Sequence, residues 1–547
     1  MKQLSNLIKK LENELYDRNM SEEISLRISN NSDFDFQINN LVKFQSHNDI
    51  DQIKNSFYKI IQNDSSVRNF EISENYFINI EIDIPNFLHN FEEIKENIKV
   101  PNPNTIIFDY GGPNIGKPLH VGHLRSLNIG RSLYQINKLA GNQVISDIHI
   151  GDWGMPIAQI ITYIEKNNIN LDKINIEDFE HIYPEASKLY LKDDDFKEFA
   201  QATNNKMNKN QSGVLKKWKK ITEISTKSIK ETLNILNHEF DLWMGESDVN
   251  DLIPEMIEGL LESKKISIDN GAYISNFDSE PKILITKSDG SYLYLTTDLA
   301  TVLNRIKKFK FNKTLYIVDK RQKLHFEQLF ASVEFFEFSK KEYEHVAFGT
   351  VNDSNGNPYK TREGGAKKLE DLFKETLLQI EKINKELDDQ TIKILANTVL
   401  TYSDLITNRM TDYKFDLDKF TNISGKTGIY VQYAQVRAKK LITSSLINTK
   451  KINLNLGELD DSDLNLIRGL IKFEYYFNLA LINNEPHHLA DYLYELSNLF
   501  NSMYQNENIL DNKSKFKKAN KLKISEYFIT YSKLLMECLG IEPVEKM

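Results

Sequence analysis

His120-Val121-Gly122-His123 places two imidazoles one helical turn apart around a glycine, directly ahead of a stretch with helical spacing. Residues three apart on a helix share a face. A helix N-terminus presents unsatisfied N–H groups and the positive end of the dipole, which favours anionic phosphate. Gly122 lets a nucleotide approach the backbone closely. Such a pair can donate hydrogen bonds to phosphate oxygens as charge shifts in a transition state. An isolated H-x-x-H is more often chance, and a metal pair would need further His or Cys nearby, which the sequence does not supply. Position at a strand-to-helix junction is what favours phosphate chemistry.

The loop Gly111–Lys117 (GGPNIGK) nearly satisfies the phosphate-binding pattern G-x-x-x-x-G-K-[ST]. Pro118 stands where that pattern needs the hydroxyl that holds Mg2+. It also removes a backbone N–H where phosphate cradling needs donors. A P-loop nucleoside triphosphatase is therefore disfavoured.

These residues need elements to hold them. Thr105–Tyr110 is a short apolar run closed by Gly111 and Gly112 and reads as a strand. Val121–Ala140 reads as a helix with Ile129, Leu133, Ile136 and Ala140 on one face, stopped by Gly141. Gln143–Ile150 reads as the next strand, which makes a strand–loop–helix–strand unit of the parallel α/β type. Parallel-type runs return at Lys282–Thr286, Thr314–Val318 and His345–Val351, after a polar, helical insertion at about 180–280. A first unit spans 1–98, with a helical start and a strand at Phe77–Ile84, and Pro101 and Pro103 mark the linker after it. The catalytic segment is expected at 99–365, a helical connection at 366–425 and an all-α domain at 426–547.

At 547 residues, and about 100–200 residues per domain, three domains with sizeable cores are expected. A net charge of -9 argues against a purely electrostatic nucleic-acid binder but leaves room for local patches. The runs Lys216–Lys220 and Lys513–Lys523 are candidates, each balanced against a solvated helix face. One cysteine, Cys538, excludes an intramolecular disulfide and a cysteine-rich zinc site, and fits a reducing compartment. No stretch approaches the ~20 apolar residues of a membrane span, and the N-terminus reads as an amphipathic helix instead of a signal peptide.

His120–His123 resembles the His-Ile-Gly-His signature of class I aminoacyl-tRNA synthetases. Its surroundings, Phe108–Ser126 (FDYGGPNIGKPLHVGHLRS), resemble the active-site segment of arginyl-tRNA synthetases. So do His149–Gly154 (HIGDWG), Ser288–Ala300, Tyr316–Phe330 and Phe348–Gly365. Asn422–Ala438 is similar to the start of that family's anticodon-binding helices, and His488–Tyr504 and the final LGIEPVEKM to their end. The words keep family order across nearly the whole chain. Two departures stand out. The second class I signature, Lys-Met-Ser-Lys-Ser, is degenerate here, reading Pro358-Tyr359-Lys360-Thr361-Arg362. Arginyl enzymes with this loss carry a compensating lysine just before the histidine signature, where Lys117 stands. Gly111-Gly112 replaces serines common in relatives.

The resemblance implies a Rossmann-like parallel-sheet catalytic domain, an N-terminal α+β module for the tRNA elbow and an all-α anticodon-binding domain. It implies a cytoplasmic, monomeric ligase that uses ATP with Mg2+, L-arginine and tRNA(Arg), without structural zinc or membrane contact. His120, His123 and Lys117 fall on its catalytic positions. Gly122, His325, Gln328, Lys360 and Arg362 fall on the ATP side. Asp109, Asn114, Tyr294, Asp298 and Gln322 fall on positions that hold the arginine, with His149 and Asp152 in support. Tyr430, Tyr433 and Met547 are the candidates for anticodon bases. On the residues alone, Asp109 and Asp298 read as strand-end and helix-cap carboxylates; for Tyr294 core packing is the lesser alternative. A catalytically silent RNA-binding relative would have lost the histidines, the lysine or the carboxylates, and all are present.

Overall fold

The structure is a computed structural model that describes all residues except 1, 21, 89–90, 280, 289, 353–355 and 358–366. Lys360 and Arg362 lie outside the described residues. The chain forms two compact units. One comprises Met1–Lys99, Tyr433–Leu479 and Tyr492–Leu535, the other Val100–Gln432, Ala480–Asp491 and Met536–Met547. Among the described residues, no helix is long and apolar enough to cross a membrane.

In the first unit, a four-stranded antiparallel sheet runs in the order Leu26–Ile28, Phe36–Ile38, Ile78–Ile82, Val67–Ile72. The helix Lys2–Tyr16 buries Leu4, Leu7, Leu11 and Leu15, a helical spacing that makes one apolar stripe. Arg468, from helix Asp461–Ile471, pairs with Asp35 and reaches Glu81 at 2.8 Å.

The second unit carries the expected α/β core. Its elements are β1 (Thr105–Tyr110), α1 (Val121–Leu139), β2 (Gln143–Asp147), α2 (Phe179–Lys192), α3 (Tyr294–Lys308), β3 (Lys313–Ile317), α4 (Lys323–Phe335) and β4 (Glu342–His345). The sheet order is β4-β3-β1-β2, and every pairing is parallel. The chain leaves β1 for β2 on one side and returns to β3 on the other. Ligands bind α/β sheets in the crevice outside the carboxyl ends at such a reversal. Here that crevice faces Asp109 and Tyr110 and the loop to α1.

Three expectations need correction. Lys282–Thr286 makes only isolated antiparallel bridges, Leu284 with Ile274 and Thr286 with Tyr292. Its apolar run is one-sided: Ile283 and Ile285 are buried while Leu284 is exposed, the alternation of an antiparallel edge and not of a strand covered on both faces. The fourth parallel strand lies at Glu342–His345, ahead of the expected His345–Val351, and Val351–Asn352 pairs instead with Tyr413–Lys414. The insertion is helical at Phe179–Lys192, Asp194–Asn208 and Ser212–Ile235, but residues 242–246 rejoin the core. They run parallel beside the continuation of β2, with Leu242 bridging Asp147 and Gly245 bridging Ile150.

Arg305 of α3 ties this core together. It is 1% exposed, and its Nη2 donates to Asp109 Oδ2 at 2.6 Å and Asp147 Oδ2 at 2.7 Å. Its guanidinium lies 5.6 Å from the Tyr316 ring centroid. One side chain thus joins the ends of β1, β2 and β3 to α3. Removing one partner of a buried pair strands the other charge, at about 3 kcal/mol or more. Arg305→Met should lower unfolding stability by about that amount, read from denaturant midpoints; a loss under about 1 kcal/mol would show the carboxylates find other partners.

Candidate active site

The two histidines are held by the helix they begin. His120 is the N-cap of α1, and its Nδ1 accepts from the Gly122 N–H at 3.0 Å. His123 Nδ1 lies 3.1 Å from the His120 amide nitrogen. The ring centroids are 3.9 Å apart. With its Nδ1 accepting from the Gly122 N–H, the neutral His120 imidazole carries its proton on Nε2 as a hydrogen-bond donor. His123 Nδ1 lies between the His120 N–H and, at 3.3 Å, the His120 carbonyl, so its tautomer depends on which of the two it pairs with. Burial, then His123 and the Lys117 ammonium, push His120 down to about 2. Burial pushes His123 down to about 4, with Lys117 adding to it against the hydrogen bond at the His120 backbone. Both rings are neutral donors at pH 7.

The preceding loop is not a phosphate cradle. The Gly111 N–H donates to Ser126 Oγ, the Gly116 N–H to Ser225 Oγ, and the Ile115 N–H to the Gly151 carbonyl. Donors that a P-loop would aim at phosphate are used internally. Lys117 is the loop's outward cation, with Nζ 3.9 Å from the Tyr183 ring centroid. Asn114 packs on Gly151, where a Cβ would meet its Oδ1 at 2.1 Å, so only glycine lets the two loops approach.

A cleft of about 150 Å³ is lined by Trp153, Asn208, Glu246, Tyr292, Tyr294 and Thr297. Glu246 was not among the residues singled out from the sequence, because it sits in the stretch assigned to the insertion. The one available signal was the apolar run Leu242-Trp243-Met244 closed by Gly245. Asp152 fixes this segment: it accepts from the Ser247 N–H at 2.9 Å and from Ser247 Oγ at 2.6 Å. A Cβ on Gly245 would meet the same carboxylate at 2.7 Å. Burial, then the charges of Asp298 and Asp152, push Glu246 up to about 8. A carboxyl raised by neighbouring carboxylates in a cleft is poised for a cation.

Asp298, one turn along α3 from Tyr294, is partly exposed and accepts from His325 Nε2 of α4 at 2.6 Å. His325, expected on the ATP side, thus orients an expected arginine ligand. Asp109 differs from Asp298 because its carboxylate is engaged by Arg305. Asp109, Asp147 and His149 have ligand atoms within 4.8 Å of one another, yet Arg305 already supplies the positive charge there. Gln322 is exposed at the turn before α4, and Gln328 is half-buried on that helix.

Residues 83–417 match the family described as tRNA synthetases class I (R), catalytic domain. The chain belongs to this arginyl-tRNA synthetase family. Residues 431–547 match the DALR anticodon binding domain. An arginine–tRNA ligase of Alkaliphilus oremlandii is 34% identical over 475 residues, covering 81% of each chain. One of Francisella tularensis subsp. holarctica is 34% identical over 513 residues, covering 87% of each. The crystal structure of arginyl-tRNA synthetase from Plasmodium falciparum superposes with a TM-score of 0.84 at 26% identity, covering 99% of each chain.

In this synthetase the anticodon candidates separate. Tyr433 belongs to the first unit, Tyr430 and Met547 to the second. Tyr433 is 41% exposed, and the Arg437 guanidinium lies 4.5 Å from its ring and 4.9 Å from that of Tyr504. Arg437 Nη1 donates to Asn501 Oδ1 at 2.7 Å. Of the lysine runs, Lys521 is fully buried against Asp460 and Asp463, and Lys523 pairs with Glu526. Those two lysines are structural and belong to no RNA patch. Lys217 and Lys220 of the other run pair with Glu165 and Asp172.

Proposed function

We propose that this chain activates L-arginine with Mg-ATP and transfers it to tRNA(Arg). The observation that carries the reading is the cleft-lining carboxyl of Glu246, close enough to Asp298 for the Asp298 charge to raise it, with His325 pairing to Asp298. A guanidinium is a planar, permanently charged fork that matches carboxylates. Tyr294 borders the seat, and Asn114 stands at the α-amino end. The arginine carboxylate oxygen attacks the α-phosphorus, and the bond to the bridging oxygen breaks to release pyrophosphate. His120 and His123 each donate a ring N–H to the developing charge, and Lys117 holds the phosphates; no covalent enzyme intermediate is required. Gly122 opens the backbone to the nucleotide, with Gln328 on the adenine side and Lys360 and Arg362 as phosphate contacts. The 2′-OH of the terminal adenosine then attacks the adenylate carbonyl and AMP leaves.

On the tRNA side, Tyr433 with Arg437 and Tyr504 offers a stacking platform for an unpaired base. Tyr430 and Met547 complete the candidate set. The working form is a cytoplasmic monomer; the single buried Cys538 suits a reducing compartment.

Pyrophosphate exchange with ATP, run for each of the twenty amino acids with and without tRNA, tests the whole reading. Exchange with arginine alone, dependent on tRNA, is expected. Exchange with another amino acid would sink the pocket assignment, and silence from folded protein with tRNA(Arg) would make the chain a non-catalytic RNA binder.

A further inference from the structure

Helix α2, in the insertion, meets two lysines that flank the histidine signature. Lys368 follows the second signature segment, and its backbone bridges His120, with the Leu369 N–H donating to the Leu119 carbonyl. Its ammonium pairs with Glu180. One turn further on, the same helix presents Tyr183 to Lys117, at 3.9 Å from Nζ to the ring centroid. Residues three apart lie on one helix face, so α2 holds both cations from one side. The two contacts differ in kind. A carboxylate neutralises the lysine it holds and competes with phosphate for it. An aromatic face attracts an ammonium through its quadrupole and leaves the full charge in place. Lys117 has no ion pair with a carboxylate among the described residues, and its charge reaches both imidazoles, since it depresses each of them.

We infer that Tyr183 is a positioning residue for adenylate formation: its ring holds Lys117 extended beside His120 and His123 without discharging it, while Glu180 keeps Lys368 occupied. This assigns a catalytic duty to the insertion helix, and it rests on the reading of Lys117 as the phosphate clamp. A cation–π contact of this kind corresponds to about 3- to 30-fold in rate or binding.

The test is a double-mutant cycle read by pyrophosphate exchange in the full chain with arginine and tRNA. Tyr183→Leu and Tyr183→Met keep apolar bulk and remove the quadrupole, and each should lower kcat/KM for ATP about 3- to 30-fold while KM for arginine stays within twofold. Tyr183→Phe, which retains the face, should stay within about twofold of the parent. In a Lys117→Met background, Tyr183→Leu should have no further effect. An equal loss with and without Lys117, or an unchanged kcat/KM in both Tyr183 variants while Lys117→Met is impaired, overturns the inference. An unimpaired Lys117→Met overturns the phosphate-clamp reading as well, so the two failures are distinguishable.

Discussion

Replacing His123 by alanine should slow adenylate formation about 10²- to 10³-fold, the loss typical of one preorganised donor aimed at developing charge. His120→Ala should fall in the same range. Both imidazoles titrate far below neutrality, at about 2 and about 4, so neither is a proton source at pH 7. Their contribution is a fixed ring N–H dipole in a partly buried site, where such a dipole acts strongly because little reorganisation remains. The His120 change also removes the side-chain acceptor at the N-cap of α1, at about 1 kcal/mol, which a modest fall in unfolding midpoint would register. That stability term is a small part of the folded protein's margin and cannot account for a rate loss of this size in protein that remains folded. Exchange kinetics at saturating ATP and arginine check the point. A loss below tenfold in either variant would remove the histidines from the transition state. An acid limb in the rate between pH 6 and 8 that vanished in either variant would show instead that the rings act as charged groups.

The second large effect concerns the amino acid. Asp298→Asn should raise KM for arginine by about two to three orders of magnitude, with KM for ATP nearly unchanged, because truncating one partner of a desolvated charge pair costs 2–5 kcal/mol. Asparagine keeps an acceptor for His325, so the local packing survives and the charge alone is lost. Glu246 adds a pH signature. Its raised value, about 8, means the free enzyme holds that carboxyl protonated at neutral pH. Displacing the proton at pH 7 costs about 1.4 kcal/mol, one pKa unit. Pairing the ionised group with a guanidinium returns more than that, so arginine should bind with release of a proton. The sign follows: arginine affinity rises as pH goes from 6 to 8 and levels above. Calorimetry in buffers of different ionisation enthalpy counts the proton. Glu246→Gln should abolish the slope, and Asp298→Asn should shift it to lower pH, because the Asp298 charge is one of the causes that raise Glu246. A flat profile in the parent enzyme would mean that Glu246 stays protonated in the complex and that Asp298 alone carries the guanidinium.

The sequence by itself determined what depends on local order. The strand–glycine loop–helix–strand unit was legible because each element is coded by its own periodicity and stops: Thr105–Tyr110, Val121–Leu139 and Thr314–Ile317 appear close to where the spacing puts them. The histidine signature was legible because cap, glycine and imidazoles occupy four consecutive positions. The family was legible because its words follow in order from Phe108 to Met547.

Tertiary structure decided which carboxylate faces what. Asp109 and Asp298 look alike in sequence, yet a buried Arg305, 196 residues from Asp109, engages the first, and His325 orients the second. Glu246 stayed hidden because nothing local marks it. Its position comes from residues 242–246 joining the sheet edge, and its raised pKa comes from burial together with carboxylates on other segments. The partner of Lys117 came into view for the same reason, since Tyr183 lies on a helix whose own sequence reads only as a polar insertion. Side-chain chemistry is written residue by residue, but burial and pairing are properties of neighbours that only the folded chain brings together.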